Sequence, residues 1–366
     1  MKIIHCADLH LDSKMTSNLT KEKARERKAE LLNTFDRMLR YAVRNQVEAV
    51  IIAGDLFDTK RISASARNAV RDGILNHPDI QFFYLRGNHD AESFLCSLDE
   101  MPDNLKLFGE TWTTYSLADG RITVTGAELN RENAGSIWND LTLDRDRFNL
   151  VVLHGQASEN EPADGAEYIN MRKLMNRGID YLALGHIHTY RLEQLDGRGK
   201  YCYPGCLEGR GFDECGQHGF VLLDIDPGTG HFRQEFVEAA CRTLYTLPVD
   251  VSGCKTTFDI SEKIRDGLDR AAISHDSLLK LVLTGEVDVE CEKNMEYLVK
   301  KFEPEYYFLK ISDETSLMVD YSAFALDESL KGEFIRIVEG DDDLDPQQKV
   351  EVIRCGLRML AGEDPD

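Results

Sequence analysis

Short runs of apolar and β-branched residues recur along the first half of the chain, and each stops at a polar residue able to bind a metal. Lys2-Ile3-Ile4 leads to Asp8-Leu9-His10, and Ala49-Val50-Ile51-Ile52 leads to Gly54-Asp55. The run 80–85 ends at Gly87-Asn88-His89-Asp90, the run 149–153 at His154, and Tyr181-Leu182-Ala183-Leu184 at Gly185-His186-Ile187-His188. Brief apolar runs bounded by glycine and polar turns read as buried strands. Between them, Leu31, Leu32, Phe35, Met38, Leu39, Ala42 and Val43 recur at spacings of three and four, which predicts an amphipathic helix over 20–46. Ser63 is a candidate N-cap for a second helix running to Asn76, where His77-Pro78 stops it. Strand, helix and strand in alternation point to an α/β layered fold.

The pattern then shortens. Strands predicted at 105–108, 111–116, 122–126 and 149–153 suggest a second, more antiparallel sheet, with Asp119-Gly120 as a hairpin turn. A helix is expected over 166–177, and further strands over 190–195, 200–203, 218–225 and 231–237. Residues 1–240 thus read as two mixed sheets packed face to face, with helices outside. After residue 240 the pattern restarts as strand (244–251), helix (258–272), strand (278–287), helix (291–302) and strand (305–311). Asp345-Pro346 opens a last helix with Val350, Ile353, Leu357 and Leu360 on one face. Residues 241–366 are therefore expected to form a small separate α/β domain, for capping or for a partner.

Charge narrows the chemistry. The net charge is −22, split as −9 over residues 1–240 (28 Lys+Arg, 37 Asp+Glu) and −13 from 241 onward (15 against 28). That balance argues against DNA held by charge alone, since phosphate contacts need Lys and Arg. The nine cysteines are odd in number and scattered, as expected of reduced thiols in a cytoplasmic protein. No apolar run approaches the ~20 residues of a membrane span. Cys202, Cys206, Cys215 and His218 fit no Cys-x-x-Cys spacing, and Tyr203-Pro204-Gly205 reads as a turn, against a zinc site. Arg61, Arg67, Arg71, Arg191 and Arg210 are scattered and read as solvated surface.

Strand ends bearing Asp, Asn and His suggest a ring of ligands at one sheet edge. Mixed oxygen and nitrogen donors suit Mn²⁺, Fe²⁺ or Zn²⁺ better than Mg²⁺ or Ca²⁺. Seven candidate ligands are too many for one tetrahedral ion, but suit two ions ~3.5–4 Å apart, the arrangement that serves in-line phosphoester hydrolysis. His89, next to Asn88, is then free to hydrogen-bond the phosphoryl group or protonate the leaving oxygen, with Asp90 holding its ring. His5 reads as a residue of the core or one supporting the site, and Asp58 as either a helix cap or a residue at the site's edge, the cap being favoured.

The order Asp8-x-His10, Gly54-Asp55-x-x-Asp58, Gly87-Asn88-His89-Asp90, His154 and Gly185-His186-x-His188 resembles the calcineurin-like metallophosphoesterases. The fuller forms Ala7–Leu11, Gly54–Thr59 and Arg86–Asp90 resemble the SbcD-type DNA repair exonucleases, nuclease subunits that work with SbcC-type ATPases. The resemblance is dense over 1–240 and thin beyond. It implies Asp8, His10 and His188 on one metal, Asn88, His154 and His186 on the other, and Asp55 bridging. It also implies a catalytic His89, manganese as the metal, and exonuclease and endonuclease cleavage of DNA. A homodimer is implied as well, for which 63–76 is a candidate face.

Two rival readings remain at this stage. One keeps the chemistry but moves it to a small phosphomonoester, a cyclic nucleotide or a phosphoprotein. The other is a non-catalytic scaffold, which the eight filled positions disfavour.

Overall fold

The computed structural model describes residues 1–15, 19–58, 62–90, 94, 101–159, 168–288, 291–318 and 327–360. Two compact units divide the chain, Met1–Thr243 and Leu244–Asp366.

In the first unit the strands are β1 (Lys2–Cys6), β2 (Ala49–Ala53), β3 (Gln81–Leu85), β4 (Leu105–Leu107), β5 (Thr113–Leu117), β6 (Ile122–Gly126) and β7 (Phe148–His154). They continue with β8 (Gln156–Ser158), β9 (Tyr168–Asn170), β10 (Tyr181–Gly185), β11 (Arg191–Gln194), β12 (Lys200–Tyr203), β13 (Gly219–Ile225) and β14 (Phe232–Glu238). One six-stranded sheet has the order β14-β13-β1-β2-β3-β4, with β1 to β4 parallel and β13 antiparallel to β1. The other has the order β11-β12-β10-β7-β6-β5; its four inner strands are parallel and its edges antiparallel. The second sheet is thus less antiparallel than its short strands suggest. The strand at Leu105–Leu107 belongs to the first sheet, paired with β3.

Side-chain alternation builds the layers. Ile3, Ala49, Ile51 and Phe83 point from the first sheet into one core with Val124, Leu150, Val152 and Ala183 of the second. Their neighbours Ile4, Val50, Ile52 and Phe82 face the other way, onto helices α1 (Lys21–Arg44) and α2 (Ala64–Leu75). Each such fully buried side chain contributes roughly 1.5–3 kcal/mol of transfer free energy. Thr20 caps α1 and Ser63 caps α2, each accepting a backbone amide of the first turn. Outside the second sheet, Val151, Leu153, Leu182 and Leu184 pack on Trp138, Ile169 and Leu174. The helix expected over 166–177 shrinks to α3 (Met171–Leu174), because Tyr168–Asn170 pairs as a strand with β8. His5 lies fully buried, its Nδ1 3.0 Å from the Tyr181 hydroxyl, as its strand position implies.

The second unit has its own core. Strands β15 (Leu244–Asp250), β16 (Leu278–Thr284) and β18 (Phe308–Asp313) form a parallel sheet, while β17 (Glu286–Asp288) pairs with β19 (Ser316–Met318). Ile260, Ile264 and Leu268 of α4 (Thr257–Ala271) and Leu298 and Phe302 of α5 (Met295–Phe302) cover it. Two further helices, Leu330–Glu339 and Pro346–Leu360, share Ile335, Val338, Ile353 and Leu357. No helix among the described residues is long and apolar enough to cross a membrane.

Candidate metal centre

The carboxyl ends of β1, β2 and β3 meet those of β7 and β10, and the polar residues that stop these strands converge there. The loops are stapled together through the main chain. Asp8 N donates to Gly54 O (3.1 Å), His10 N to Asp55 O (3.0 Å) and Leu11 N to Leu56 O (3.1 Å). Asp8, His10, Asp55 and His186 have left-handed backbone angles, with φ of 52°, 44°, 51° and 101°. Such conformations cost about 1–3 kcal/mol each and persist where the surroundings over-determine them. Gly54, at φ 90°, is required by packing as well, since a Cβ there would lie 2.1 Å from His154 Nδ1.

Two imidazoles are held from behind by an acceptor on Nδ1, and a third has a carboxylate close to that atom. His154 Nδ1 lies 2.9 Å from Ala53 O, His188 Nδ1 2.7 Å from Glu214 Oε1, and His10 Nδ1 3.2 Å from Asp58 Oδ1. An acceptor on Nδ1 places the proton there and leaves Nε2 as a ligand. The Nε2 atoms turn inward. His10 and His188 face each other at 3.3 Å, and His154 Nε2 lies 3.5 Å from Asp55 Oδ2 and 3.0 Å from Asn88 Oδ1. Two sets of ligand atoms, Asp8–His10–His188 and Asp8–Asp55–His154, each lie within 4.8 Å of one another. Asp8 is common to both, and Asp55 Oδ2 is also 3.8 Å from His10 Nε2. The His186 ring stands edge-on to His154 with centroids 5.4 Å apart, while its amide donates to both Asp8 oxygens, at 2.9 and 3.0 Å.

The electrostatics ask for a cation. Asp8 and Asp55 are buried side by side. Burial pushes the Asp8 carboxyl up to about 6, with His154 opposing and Asp55 adding to the rise. Burial opposes charge on His154, yet the Asp55 and Asp8 carboxylates outweigh it and raise the imidazole to about 9. Acceptors facing acceptors, in a pocket that draws protons to itself, fit a site built for divalent ions.

His89 stands at the mouth of this cluster. Its side chain is 48% exposed, so it is open to a substrate, and its amide donates to Asp55 Oδ1 (3.0 Å). The expected partnership with Asp90 is not found. The Asp90 carboxylate accepts from the amides of Leu56 (3.2 Å), Phe57 (2.9 Å) and Gly87 (2.9 Å), so it clamps two loops and does not hold a ring. The carboxylate nearest the His89 ring is Asp58, 3.9 Å from Nδ1. Asp58 is therefore a residue of the site's edge, and the α2 cap is Ser63.

Arg210 departs from the surface role expected of it. It is largely buried, donates to Glu214 Oε1 at 2.7 Å and lies 3.3 Å from Asp58 Oδ1. Glu214, which the sequence reading did not single out, is 6% exposed behind His188. The only signal was an acid four residues after Arg210 in a glycine-rich loop. Arg61 lies outside the described residues. Cys206 Sγ is 3.2 Å from His218 Nδ1, but Cys215 is exposed and bonded to Phe212 O. Among the described residues these groups form no third ligand cluster.

Comparison with known proteins agrees with this chemistry. The chain is 27% identical over 278 residues to the uncharacterized metallophosphoesterase YhaO of Bacillus subtilis, covering 73% of this chain and 67% of YhaO. It is 29% identical over 208 residues to the DNA double-strand break repair protein Mre11 of Sulfurisphaera tokodaii, covering 54% and 51% of the two chains. Against the SbcD component of the nuclease SbcCD of Staphylococcus epidermidis it is 25% identical over 266 residues, covering 62% and 66%. These matches thus span about half to two thirds of the relatives' own lengths. Residues 1–190 match the model of the calcineurin-like phosphoesterases, and the chain belongs to that family of metal-dependent hydrolases with a dinuclear centre.

Proposed function

We propose that this chain is a two-metal phosphodiesterase acting on DNA, an SbcD-like exonuclease and endonuclease working in repair beside an SbcC-like ATPase. The observation that carries the reading is the convergence of Asp8, His10, Asp55, His154 and His188 beneath an exposed His89. The nuclease and break-repair names of the relatives support DNA as substrate.

In this reading Asp8, His10 and His188 hold one ion. Asn88, His154 and His186 hold the other, and Asp55 serves both. Two divalent ions, manganese on this reading, supply Lewis-acid stabilisation of charge on a phosphoryl group. The chain's own residues do the rest. His186 N fixes both oxygens of Asp8. His89 hydrogen-bonds a non-bridging phosphoryl oxygen or gives a proton to the leaving oxygen. Asp58, on the Nδ1 side of that ring, takes the orienting part first expected of Asp90. A homodimer through 63–76 and a cytoplasmic location complete the proposal.

The test is nucleotide release from 3′- and 5′-labelled duplex DNA with Mn²⁺, against EDTA and a His89→Ala control. Metal-dependent and His89-dependent release supports the reading. The net charge of −22 favours a second reading, a small phosphoester substrate. Intact DNA beside rapid cleavage of an aryl phosphate ester would establish that one instead.

A further inference from the structure

Segment 204–214 contributes nothing to the two ligand sets, yet it braces one of them from behind. Cys206 N donates to His188 O (3.1 Å), and Gly205 turns there at φ 77°, where a Cβ would sit 2.8 Å from that same oxygen. Beyond the turn, Glu214 Oε1 lies 2.7 Å from His188 Nδ1 and 2.7 Å from Arg210 Nη2. Glu214 Oε2 accepts from Arg210 N at 2.7 Å. Arg210 Nη1 reaches Asp58 Oδ1 at 3.3 Å, and that oxygen is 3.2 Å from His10 Nδ1. His188, Glu214, Arg210, Asp58 and His10 thus form a chain that ends on the two rings whose Nε2 atoms face each other.

The other ligand set is braced differently. His154 has a main-chain carbonyl, Ala53 O, on its Nδ1, and Asp55 receives the His89 amide. Its geometry comes from strand ends, whereas that of His10 and His188 comes from charged side chains.

We propose that Arg210 and Glu214 are positioning residues that set ion affinity at the Asp8–His10–His188 position alone, so that the two positions load unequally. The inference rests on the two-ion reading above. An anionic acceptor behind a ligating histidine fixes its tautomer and raises its basicity, and removing it typically lowers affinity about 10–100-fold. Here the effect is sharpened because Arg210 Nη2 is also 3.2 Å from His188 Nδ1. Without the Glu214 charge, the guanidinium facing the ring keeps Asp58 as its carboxylate partner but loses the charge beside Nδ1, and repels an ion on the ring's far side.

The experiment is calorimetric titration of Mn²⁺ into the chelator-stripped full chain, with thermal unfolding of each stripped protein alongside. The wild type should take up two ions with distinct affinities. Glu214→Gln, which keeps the size and loses the charge, should weaken one of them about 10–100-fold and leave the other unchanged. Arg210→Lys keeps the charge but loses the fork, and should weaken the same ion. It carries the test alone if Glu214→Gln does not fold. Unchanged affinities in the variants overturn the proposal, and so does equal weakening of both ions, the mark of a general structural loss. A wild type that takes up no ion overturns the two-ion reading itself.

Discussion

His10 and His188 face one another Nε2 to Nε2 at 3.3 Å, each with its other ring nitrogen against a carboxylate oxygen. Two ring nitrogens so arranged share either a proton or an ion. A ligand that binds only the folded state stabilises it by RT ln(1 + [L]/Kd), about 2.7 kcal/mol at a hundredfold excess over Kd. Adding Mn²⁺ to stripped protein should therefore raise the melting temperature of the first unit. His188→Ala should lose much of that rise while keeping its metal-free melting point within a few degrees. A full rise in the variant would remove His188 from the ligand set.

Asp90 carries a second prediction, because its carboxylate joins the loop bearing Asp55 to the loop bearing Asn88. Asp90→Ala leaves the amides of Leu56, Phe57 and Gly87 without their acceptor. Losing hydrogen bonds to a partly buried charged acceptor costs about 3 kcal/mol here, and Asp55 and Asn88 lose their mutual register. Urea unfolding of the stripped variant should show that loss, and Mn²⁺ affinity should fall with it. A variant as stable as wild type, with only turnover reduced, would restore Asp90 to the part first expected of it, holding the His89 ring.

Glu208 makes the third. It is 1% exposed and accepts from Arg27 Nη1 (2.8 Å), Thr34 Oγ1 (2.8 Å), Cys241 N (2.6 Å) and Arg242 N (3.3 Å). Arg27 is itself 1% exposed and, among the described residues, keeps only Glu30 as a charged partner once Glu208 is gone. Breaking one side of a buried ion pair costs about 3–5 kcal/mol, so Glu208→Ala should lower unfolding free energy by about that much. A denaturant midpoint shift worth under about 1 kcal/mol would show that Glu30 and water replace it.

The difference between what was legible in the sequence and what was not has a physical cause. Asp8, Asp55, Asn88, His154 and His188 stood out as a set: a polar residue at one strand end is usually structural, but several metal-binding types ending successive apolar runs in one order are not. Arg210 and Glu214 lie in 204–218, a glycine-rich loop without periodicity, where a buried charge looks like a solvated one. Asp90 follows His89 directly and so looked like its ring partner. The turn at Gly87 instead aims the carboxylate back at its own loop and at Leu56 and Phe57. Leu105–Leu107 was legible as a strand, but alternation identifies a strand and not its neighbour. Its partner β3 is set by which edge stands open.

His5 gives the last prediction, on pH. Its ring is fully buried, and burial lowers the imidazole from 6.5 to about 3. The folded chain therefore refuses a proton that the unfolded chain accepts below about 6.5. A group with a lowered folded value contributes stability that is present above the unfolded value and lost as pH falls toward the folded one. Here the window runs from about 6.5 down to about 3, with a limiting slope of about 1.4 kcal/mol per pH unit for one proton. His5→Gln can keep a hydrogen bond to the Tyr181 hydroxyl and takes up no proton, so its stability should fall less steeply across that window. Urea unfolding of both stripped proteins at pH 6.5, 5.5 and 4.5 measures the difference. Parallel slopes would mean that His5 is protonated in the fold and that the acid sensitivity belongs to the carboxylates held below their ordinary range there, Asp55 and Glu214.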